Sequence, residues 1–392
     1  MFKVRDKFLL FSPPMFGEEE KKELLDTLDS GWITTGPRTK QFEADVAKYV
    51  GAKYAVGAFS CTSALHLAVT AIGISEGDEV ITTPLTFASS AHVVGYHRAK
   101  PVFVDVDPKT LNIDPTKIEE KINSKTKALM IVHYGGQACD MDPILALAKK
   151  HKLKVIEDAA HAIGTEYKGK KIGSIGDITC FSFYATKNIA TAEGGMAVTD
   201  NEEWAETMRQ YTMYGISDAR EIWGRYNQPR ATWDYDVKYL GYKCNMMDIV
   251  AALGIHQLKK LDYFIKRRGE NRALYDEAFG KMPELQIPYV APYTTPCWHL
   301  YPLLLNLDKL KIDRNQFIQE LRDRNVGVSV MFRPLHMHSY YRNTYGFREG
   351  DFPVAENIFS RIMNLPVSPA ASCEDIKYVV SAVKDIVENN KK

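Results

Sequence analysis

The chain has 392 residues, more than one ordinary domain holds, so a large and a smaller domain with sizeable apolar cores are expected. Its 50 Lys and Arg residues nearly balance 49 Asp and Glu, which excludes a chain-wide electrostatic pull toward nucleic acid or an anionic membrane surface. The six cysteines (Cys61, Cys139, Cys180, Cys244, Cys297, Cys373) lack CxxC spacing, which argues against a zinc site or a disulfide framework and fits a reducing cytoplasm.

The first seven residues mix charge with apolar side chains and lack the apolar core of a signal peptide. No stretch approaches the roughly 20 apolar residues needed to span a bilayer, so a soluble protein without a membrane partner is expected. Short apolar runs follow at residues 54–60, 79–83, 101–106, 128–133, 153–158, 178–183 and 196–199, mostly separated by segments of helical length. Short runs rich in Val, Ile and Phe predict an α/β domain with a mostly parallel seven-stranded sheet and helices on both faces. Ligands of such sheets bind beyond the carboxyl ends of the strands, so the residues that end strands carry the chemistry.

Residues 201–213 read as a helix, and 216–240 as a polar, aromatic-rich segment too long for an ordinary connection. A long helical pattern from 245 to about 275 links to strands at 298–305 and 326–331 and helices at 314–325 and 374–388. This predicts a large domain over 1–250, with an N-terminal arm, and a smaller α+β domain over 251–392. The polar end, residues 389–392, is expected to fray. Lys168-Gly169-Lys170-Lys171 reads as a solvated turn, and His66, His92 and His299 read as structural.

Lys187 closes the run Phe181-Ser182-Phe183-Tyr184-Ala185-Thr186-Lys187, with Glu193-Gly194-Gly195 soon after. A lysine just past an apolar strand, five residues after a serine and shortly before a glycine pair, suits an amine that binds a carbonyl beside a phosphate. Asp158 ends the run 153–158, so its carboxylate can reach the same end of the sheet. A carboxylate facing a pyridine nitrogen keeps that nitrogen protonated, and Lys187 with Asp158 therefore points to pyridoxal 5'-phosphate. Taken alone, an acid at a strand end is more often a turn or helix-cap residue; the pairing selects the cofactor reading. For the phosphate, Ser60 can cap a helix whose first amides and hydroxyls, Cys61, Thr62 and Ser63, cradle an anion, with Ser182 as a second donor. By themselves these residues describe an ordinary N-cap. Phe87 follows the second strand and either stacks on a flat ring or belongs to the core.

The segments Ser30-Gly31-Trp32-Ile33-Thr34-Thr35-Gly36-Pro37, Gly77-Asp78-Glu79-Val80, Val104-Asp105-Val106-Asp107, Glu157-Asp158-Ala159-Ala160-His161, the Lys187 run and Gly241-Tyr242-Lys243-Cys244-Asn245 carry a resemblance that extends from about Phe11 to the C-terminus. The chain resembles the DegT/DnrJ/EryC1/StrS family of sugar aminotransferases, fold-type I pyridoxal phosphate enzymes, and within it the branch that includes the UDP-4-amino-4-deoxy-L-arabinose aminotransferase. The resemblance implies that Lys187 is the Schiff-base lysine, Asp158 the partner of the pyridine nitrogen, Phe87 the stacking ring, and Thr62, Ser63 and Ser182 the phosphate ligands. His161 falls near the cofactor's ring hydroxyl. Relatives complete each site from the partner subunit with the Asn of a Gly-Tyr-Asn motif; here Lys243 holds that position and Asn245 lies two further on, so either one can serve a homodimer with shared sites. Dehydratase members carry histidine at the lysine position, so Lys187 implies amino transfer.

The resemblance further implies a ping-pong exchange in which an amino acid, glutamate by analogy, donates and a keto or aldehyde sugar accepts. The first expectation is a nucleotide-linked 4-keto sugar for surface polysaccharide or lipopolysaccharide synthesis; a GDP- or dTDP-keto hexose, or an aldehyde of an acidic sugar such as an octulosonate, is the alternative. Trp32, Thr34 and Thr35 are expected to border the sugar, as is His336 by resemblance. Arg220, Arg225, Arg230, Trp223 and Trp233 suit either a nucleotide diphosphate or dimer packing. A non-catalytic regulator retaining the fold is the reading from another class; the intact Lys187 and Asp158 and the lack of a helix-turn-helix segment favour the enzyme. A nicotinamide enzyme would need a GxGxxG turn after the first strand, which is absent.

Overall fold

The computed structural model describes residues 2–216 and 235–392. The strands in chain order are β1 (Tyr54–Ala58), β2 (Glu79–Thr82), β3 (Lys100–Phe103), β4 (Thr126–Val132), β5 (Lys154–Asp158), β6 (Glu166–Tyr167), β7 (Lys170–Lys171), β8 (Ile178–Ser182), β9 (Gly195–Thr199), β10 (Leu285–Gln286), β11 (Thr294–Thr295), β12 (Tyr301–Leu305) and β13 (Ile362–Leu365). Seven of them form one sheet in the order β1-β9-β8-β5-β4-β2-β3. β9 runs antiparallel to both neighbours and the other pairings within the β8-to-β3 block are parallel, so six strands share one direction. The expected seven strands and the mainly parallel sheet are therefore present.

Side chains alternate across this sheet, and both faces are covered. Leu129, Ile131, Val155 and Phe181 enter one apolar cluster, while their neighbours Ala128, Met130, Ile156 and Cys180 enter another. Burial on both sides is the reason the strands read as continuous apolar runs. Each fully buried side chain of this kind contributes roughly 1.5–3 kcal/mol of burial.

The helix Asp248–Phe279 has about the expected length but starts and ends three to four residues later than expected. It gives Ala251, Ile255, Leu258, Leu261 and Phe264 to the sheet's core, and Tyr275 and Phe279 to a second cluster built on β12, β13 and the helices Arg314–Asp323 and Cys373–Asn390. That second part holds a three-stranded sheet, β10-β12-β13.

Two expectations differ from the structure here. Residues 326–331, expected as a strand, make only single bridges, Leu9 with Val326 and Ser329 with Asn364, and the second-part sheet uses β13 instead. The segment pairs first with the N-terminal arm (Gly327 N–H to Leu9 O, 2.8 Å) and then with Asn364 (Asn364 N–H to Ser329 O, 2.8 Å), so neither ladder extends. The C-terminal end is tied down, not frayed: the helix continues to Asn390, and the Lys311 and Lys392 amides bond to Asn390 and Lys309 carbonyls at 2.8 and 3.0 Å. Among the described residues no helix is long and apolar enough to cross a membrane, and no cluster of His, Cys, Asp or Glu could hold a metal ion.

Candidate active site

The carboxyl ends of β1, β4, β5 and β8 open on one cavity of about 450 Å³. Its walls include Ser60, Cys61, Thr62, Phe87, Asp158, His161, Ser182 and Lys187. The topology explains the grouping: β5 and β8 are adjacent and parallel, so Asp158 at the end of one and the loop after the other emerge side by side.

Lys187 lies in a turn in which its amide donates to Tyr184 O at 2.8 Å. Burial lowers its pKa from 10.5 to about 8, with Cys61 and Asp158 acting in the opposite sense. About a tenth of the amine is therefore neutral at pH 7, far more than for an ordinary lysine, as a nucleophile and proton carrier needs. Cys61 does not compete for that role, because burial pushes its thiol well above the ordinary range.

Asp158 is buried, and burial raises its pKa; the Ser90 hydroxyl, the Ala160 amide and the Lys187 charge act against that rise. Ser90 Oγ donates to Oδ2 at 2.7 Å and the Ala160 amide to Oδ1 at 3.2 Å. Thr86 Oγ1 lies 2.8 Å from Ser90 Oγ, so a short hydroxyl chain backs the carboxylate. Asp158 has no ion pair among the described residues, and a buried acid on a cavity wall without a cation suits a protonated ring nitrogen.

The helix Cys61–Ala71 starts at the cavity with Ser60 as N-cap, whose Oγ accepts from the Ser63 amide at 3.1 Å. The amides of Cys61 and Thr62 belong to the first turn, where no intrahelical acceptor exists, and with the Thr62 hydroxyl they form an anion cradle. Ser63 is committed to the cap, its Oγ lying 3.1 Å from Ser60 Oγ. Ser182 also lines the cavity, paired with Gly195 beside this helix start, its Oγ accepting from the Tyr184 amide at 3.4 Å.

Gly195 explains half of the glycine pair. A Cβ there would stand 2.2 Å from Ser60 C and 2.4 Å from Cys61 N, so only glycine lets β9 pass beneath the start of this helix. Gly195→Ala is expected to lower stability by about 1–3 kcal/mol and to displace the cradle. Urea unfolding and retention of pyridoxal phosphate through gel filtration check this; a variant that matches the parent in both would refute it.

His161 is buried, and burial drives its pKa well below the ordinary value, with the Lys187 charge adding to the effect. Its Nδ1 accepts from the Gly135 amide at 3.3 Å, which leaves the proton of the neutral ring on Nε2 as a donor. Phe87 is exposed, its ring 6.1 Å from Phe332, and is free to cover a flat ligand. Carboxylate, amine, anion cradle, hydroxyl donors and aromatic cover together match what pyridoxal phosphate requires.

Other expected residues lie elsewhere. Trp32, Thr34 and Thr35 do not line this cavity but gather around Asn245 and Asp248: Trp32 Nε1 donates to Thr35 O at 3.1 Å, and Asp248 N donates to Thr34 O at 3.1 Å. Asn245 Nδ2 donates to Thr35 Oγ1 at 2.7 Å, and Lys243 Nζ donates to Asn245 Oδ1. Neither Lys243 nor Asn245 reaches the cavity of its own chain. His336, expected near the sugar, is instead fully buried behind the wall, its Nε2 2.8 Å from Glu356 Oε1. Arg220, Arg225, Arg230, Trp223 and Trp233 lie outside the described residues.

Sequence reasoning missed several neighbours of the site. His133 directly follows β4 beside Asp158, and its Nε2 lies 2.8 Å from Glu157 Oε2 in a fully buried pair. Burial would raise the Glu157 pKa, but the His133 hydrogen bond and charge, with Thr179 and the Gly176 amide, bring it below the ordinary range. The strand-end rule that singles out Asp158 applies equally to His133. No local signal marks Ser90, Glu193 or Phe332 as neighbours of Asp158 and Lys187.

The family model described as the DegT/DnrJ/EryC1/StrS aminotransferase family matches residues 14–384. The chain is 50% identical over 389 residues to the spore coat polysaccharide biosynthesis protein SpsC of Bacillus subtilis, covering 99% of each. Among solved structures it is similar to the PLP-form of Spr1654 from Streptococcus pneumoniae, a candidate sugar aminotransferase, with a TM-score of 0.90, 32% identity and coverage of 97% of this chain and 99% of that one. It is also similar to DesI solved in the presence of its TDP-sugar product, with a TM-score of 0.87, 28% identity and coverage of 98% and 93%.

Proposed function

The chain belongs to the DegT/DnrJ/EryC1/StrS aminotransferase family and is a pyridoxal-phosphate-dependent sugar aminotransferase of fold-type I, and from this we propose that it moves the amino group of an amino acid, glutamate first, to a nucleotide-linked 4-keto sugar. The product would serve surface polysaccharide synthesis. The observation that carries the reaction type is the placement of the Lys187 amine and the buried Asp158 carboxylate on one cavity with the helix start at Ser60. The likeness to DesI with its TDP-sugar product supports a nucleotide sugar. The likeness to SpsC supports a coat or envelope polysaccharide as the destination.

Bound pyridoxal phosphate supplies an aldehyde that takes up an amino group and a ring that spreads carbanion charge. The chain's own residues do the rest. Thr62, Ser182 and the amides of Cys61 and Thr62 hold the phosphate, with Ser63 fixing the cap. The Asp158 carboxylate would keep a proton on the ring nitrogen, His161 Nε2 would donate to the ring oxygen, and Phe87 would cover the ring. With the cofactor bound, Nζ of Lys187 would take the proton from the donor's α-carbon and carry it across, and desolvation keeps enough of the amine neutral for that. The same steps in reverse load the amine on the sugar.

Lys243 and Asn245, with Trp32, Thr34 and Thr35, form a polar group that we assign to the partner's site in a homodimer: Lys243 to phosphate, the tryptophan and threonines to the sugar. Arg230 is assigned to the nucleotide diphosphate, and His336 supports the sugar-side wall through Glu356. A cytoplasmic location follows from a nucleotide-sugar substrate.

The test is a panel of keto sugars added to the aminated protein. UDP-, dTDP- and GDP-linked 4-keto sugars and an octulosonate aldehyde are each scored by return of the visible band of cofactor held on Lys187. Return only with amino-acid keto acids would sink the sugar assignment.

A further inference from the structure

We infer that His299 is a positioning residue which, through Asn188, holds the Lys187 turn in the cavity; the inference rests on the role proposed above for Lys187. Asn188 follows Lys187 directly and is buried. Its Nδ2 donates to Cys297 O at 3.1 Å, so its Oδ1 is the acceptor, and it lies 3.1 Å from Nδ1 of His299. That assignment puts the proton of His299 on Nδ1 and a lone pair on Nε2, which is buried and has no partner among the described residues.

The segment carrying His299 is itself held. Arg268, fully buried, donates through one terminal nitrogen to Trp298 O and His299 O at 3.3 and 3.2 Å. Leu300 N donates to Gly135 O and Cys297 N to Gly136 O, both at 3.1 Å. Gly136 has φ +92°, and a Cβ there would stand 2.9 Å from the His299 amide and 2.8 Å from Cys297 Sγ, so the contact admits no side chain. His299 thus stands on a rigid base that leads into β12. Its ring also lies 4.3 Å from that of His161 on the cavity wall.

His299 suits a mechanical task. Burial holds its pKa well below the ordinary value, and the neighbouring His161, Lys187 and Arg268 add to that, so it stays neutral and its Nδ1–H remains a donor. The ionisable groups that face Lys187 across the cavity are Cys61, His133, Asp158, His161, Tyr184 and Glu193, and none of them is bonded to Asn188. Release of Asn188 therefore changes the enclosure of Lys187 and not its charged neighbours. Because desolvation is what lowers the Lys187 pKa, a looser turn lets water in and the pKa rises.

The experiment uses cofactor-free protein, in which the pH dependence of Lys187 acetylation by acetic anhydride, read by mass spectrometry, reports the amine pKa without any turnover. In His299→Phe the pKa is expected to rise by about one unit from the parental value. His299→Gln, whose amide can donate to Asn188 Oδ1, should stay near the parent. Asn188→Ala should rise as far as His299→Phe, and the double variant no further, as for two partners of one contact. In loaded protein kcat should fall about tenfold in His299→Phe with KM little changed, as a misplaced reacting group predicts. A parental pKa in His299→Phe, or additive shifts in the double variant, overturns the inference. If His299→Phe does not fold, Asn188→Ala decides by the same criterion. Acetylation reads the surroundings of the Lys187 amine without turnover, so its outcome stands apart from whether the keto-sugar panel succeeds.

Discussion

Replacing Lys187 by alanine is expected to remove the visible band of bound cofactor and to slow amino transfer by roughly 10⁴-fold or more, because one amine both holds the cofactor and moves the proton. Near-normal turnover in Lys187→Ala would eliminate the catalytic reading. The same residue predicts a pH effect on the cofactor-free protein. Its pKa is about 8 in the folded chain against an ordinary 10.5. Between those values the unfolded chain binds a proton that the folded chain has released, so stability rises with pH across that window. Below it, folding carries the full cost of a buried ammonium. Lys187→Met, similar in shape and uncharged, should therefore exceed the parent in urea midpoint most below about pH 8, and the difference should shrink as pH rises. A difference that stays constant with pH would contradict the burial argument.

Asp158→Asn is expected to slow transfer by roughly 10³-fold, because the ring nitrogen loses the carboxylate that keeps it protonated. The cofactor-free variant should nevertheless melt higher than the parent at neutral pH. Burial raises the folded-state pKa of Asp158 above 3.8, so from about that value up to the raised one the folded chain binds more protons than the unfolded chain. Stability therefore falls as pH rises through the window, and at neutral pH the buried carboxylate, held by Ser90 and Ala160 but without an ion pair among the described residues, is a net cost. Adding pyridoxal phosphate should raise the melting temperature of the parent more than that of the variant, since only the parent offers a charge for the ring nitrogen. Equal gains in the two proteins would show that Asp158 does not meet that nitrogen.

The contrast between the two parts of the chain shows what periodicity can reveal. The seven strands of the large sheet were legible to within three residues at each end because each is buried on both faces and bounded by loops or helices. β13 was not, because the helix Pro353–Arg361 passes into Ile362 with no turn residue between them. Residues 326–331 alternate as a strand should, yet their partners, Leu9 and Asn364, come from distant segments. A pattern of side chains says which face is buried but not which backbone lies alongside.

The site divides in the same way. Lys187, Asp158 and the helix start at Ser60 declare themselves in sequence, because strand ends and helix caps are local features and their chemistry needs particular residue types. That Asp158 is backed by Ser90, that His133 pairs with Glu157, and that His299 grips the turn of Lys187 depends on contacts between residues 24 to 111 positions apart. So does the grouping of Trp32, Thr34 and Thr35 with Asn245 away from the cavity, and the burial of His336 against Glu356. By itself the sequence determined the class of sheet and the cofactor, and it singled out the amine and the carboxylate proposed to serve that cofactor, since each follows from local pattern. Only the tertiary structure decided which groups tune and hold them, because desolvation and hydrogen-bond partners are set by whatever the fold brings alongside.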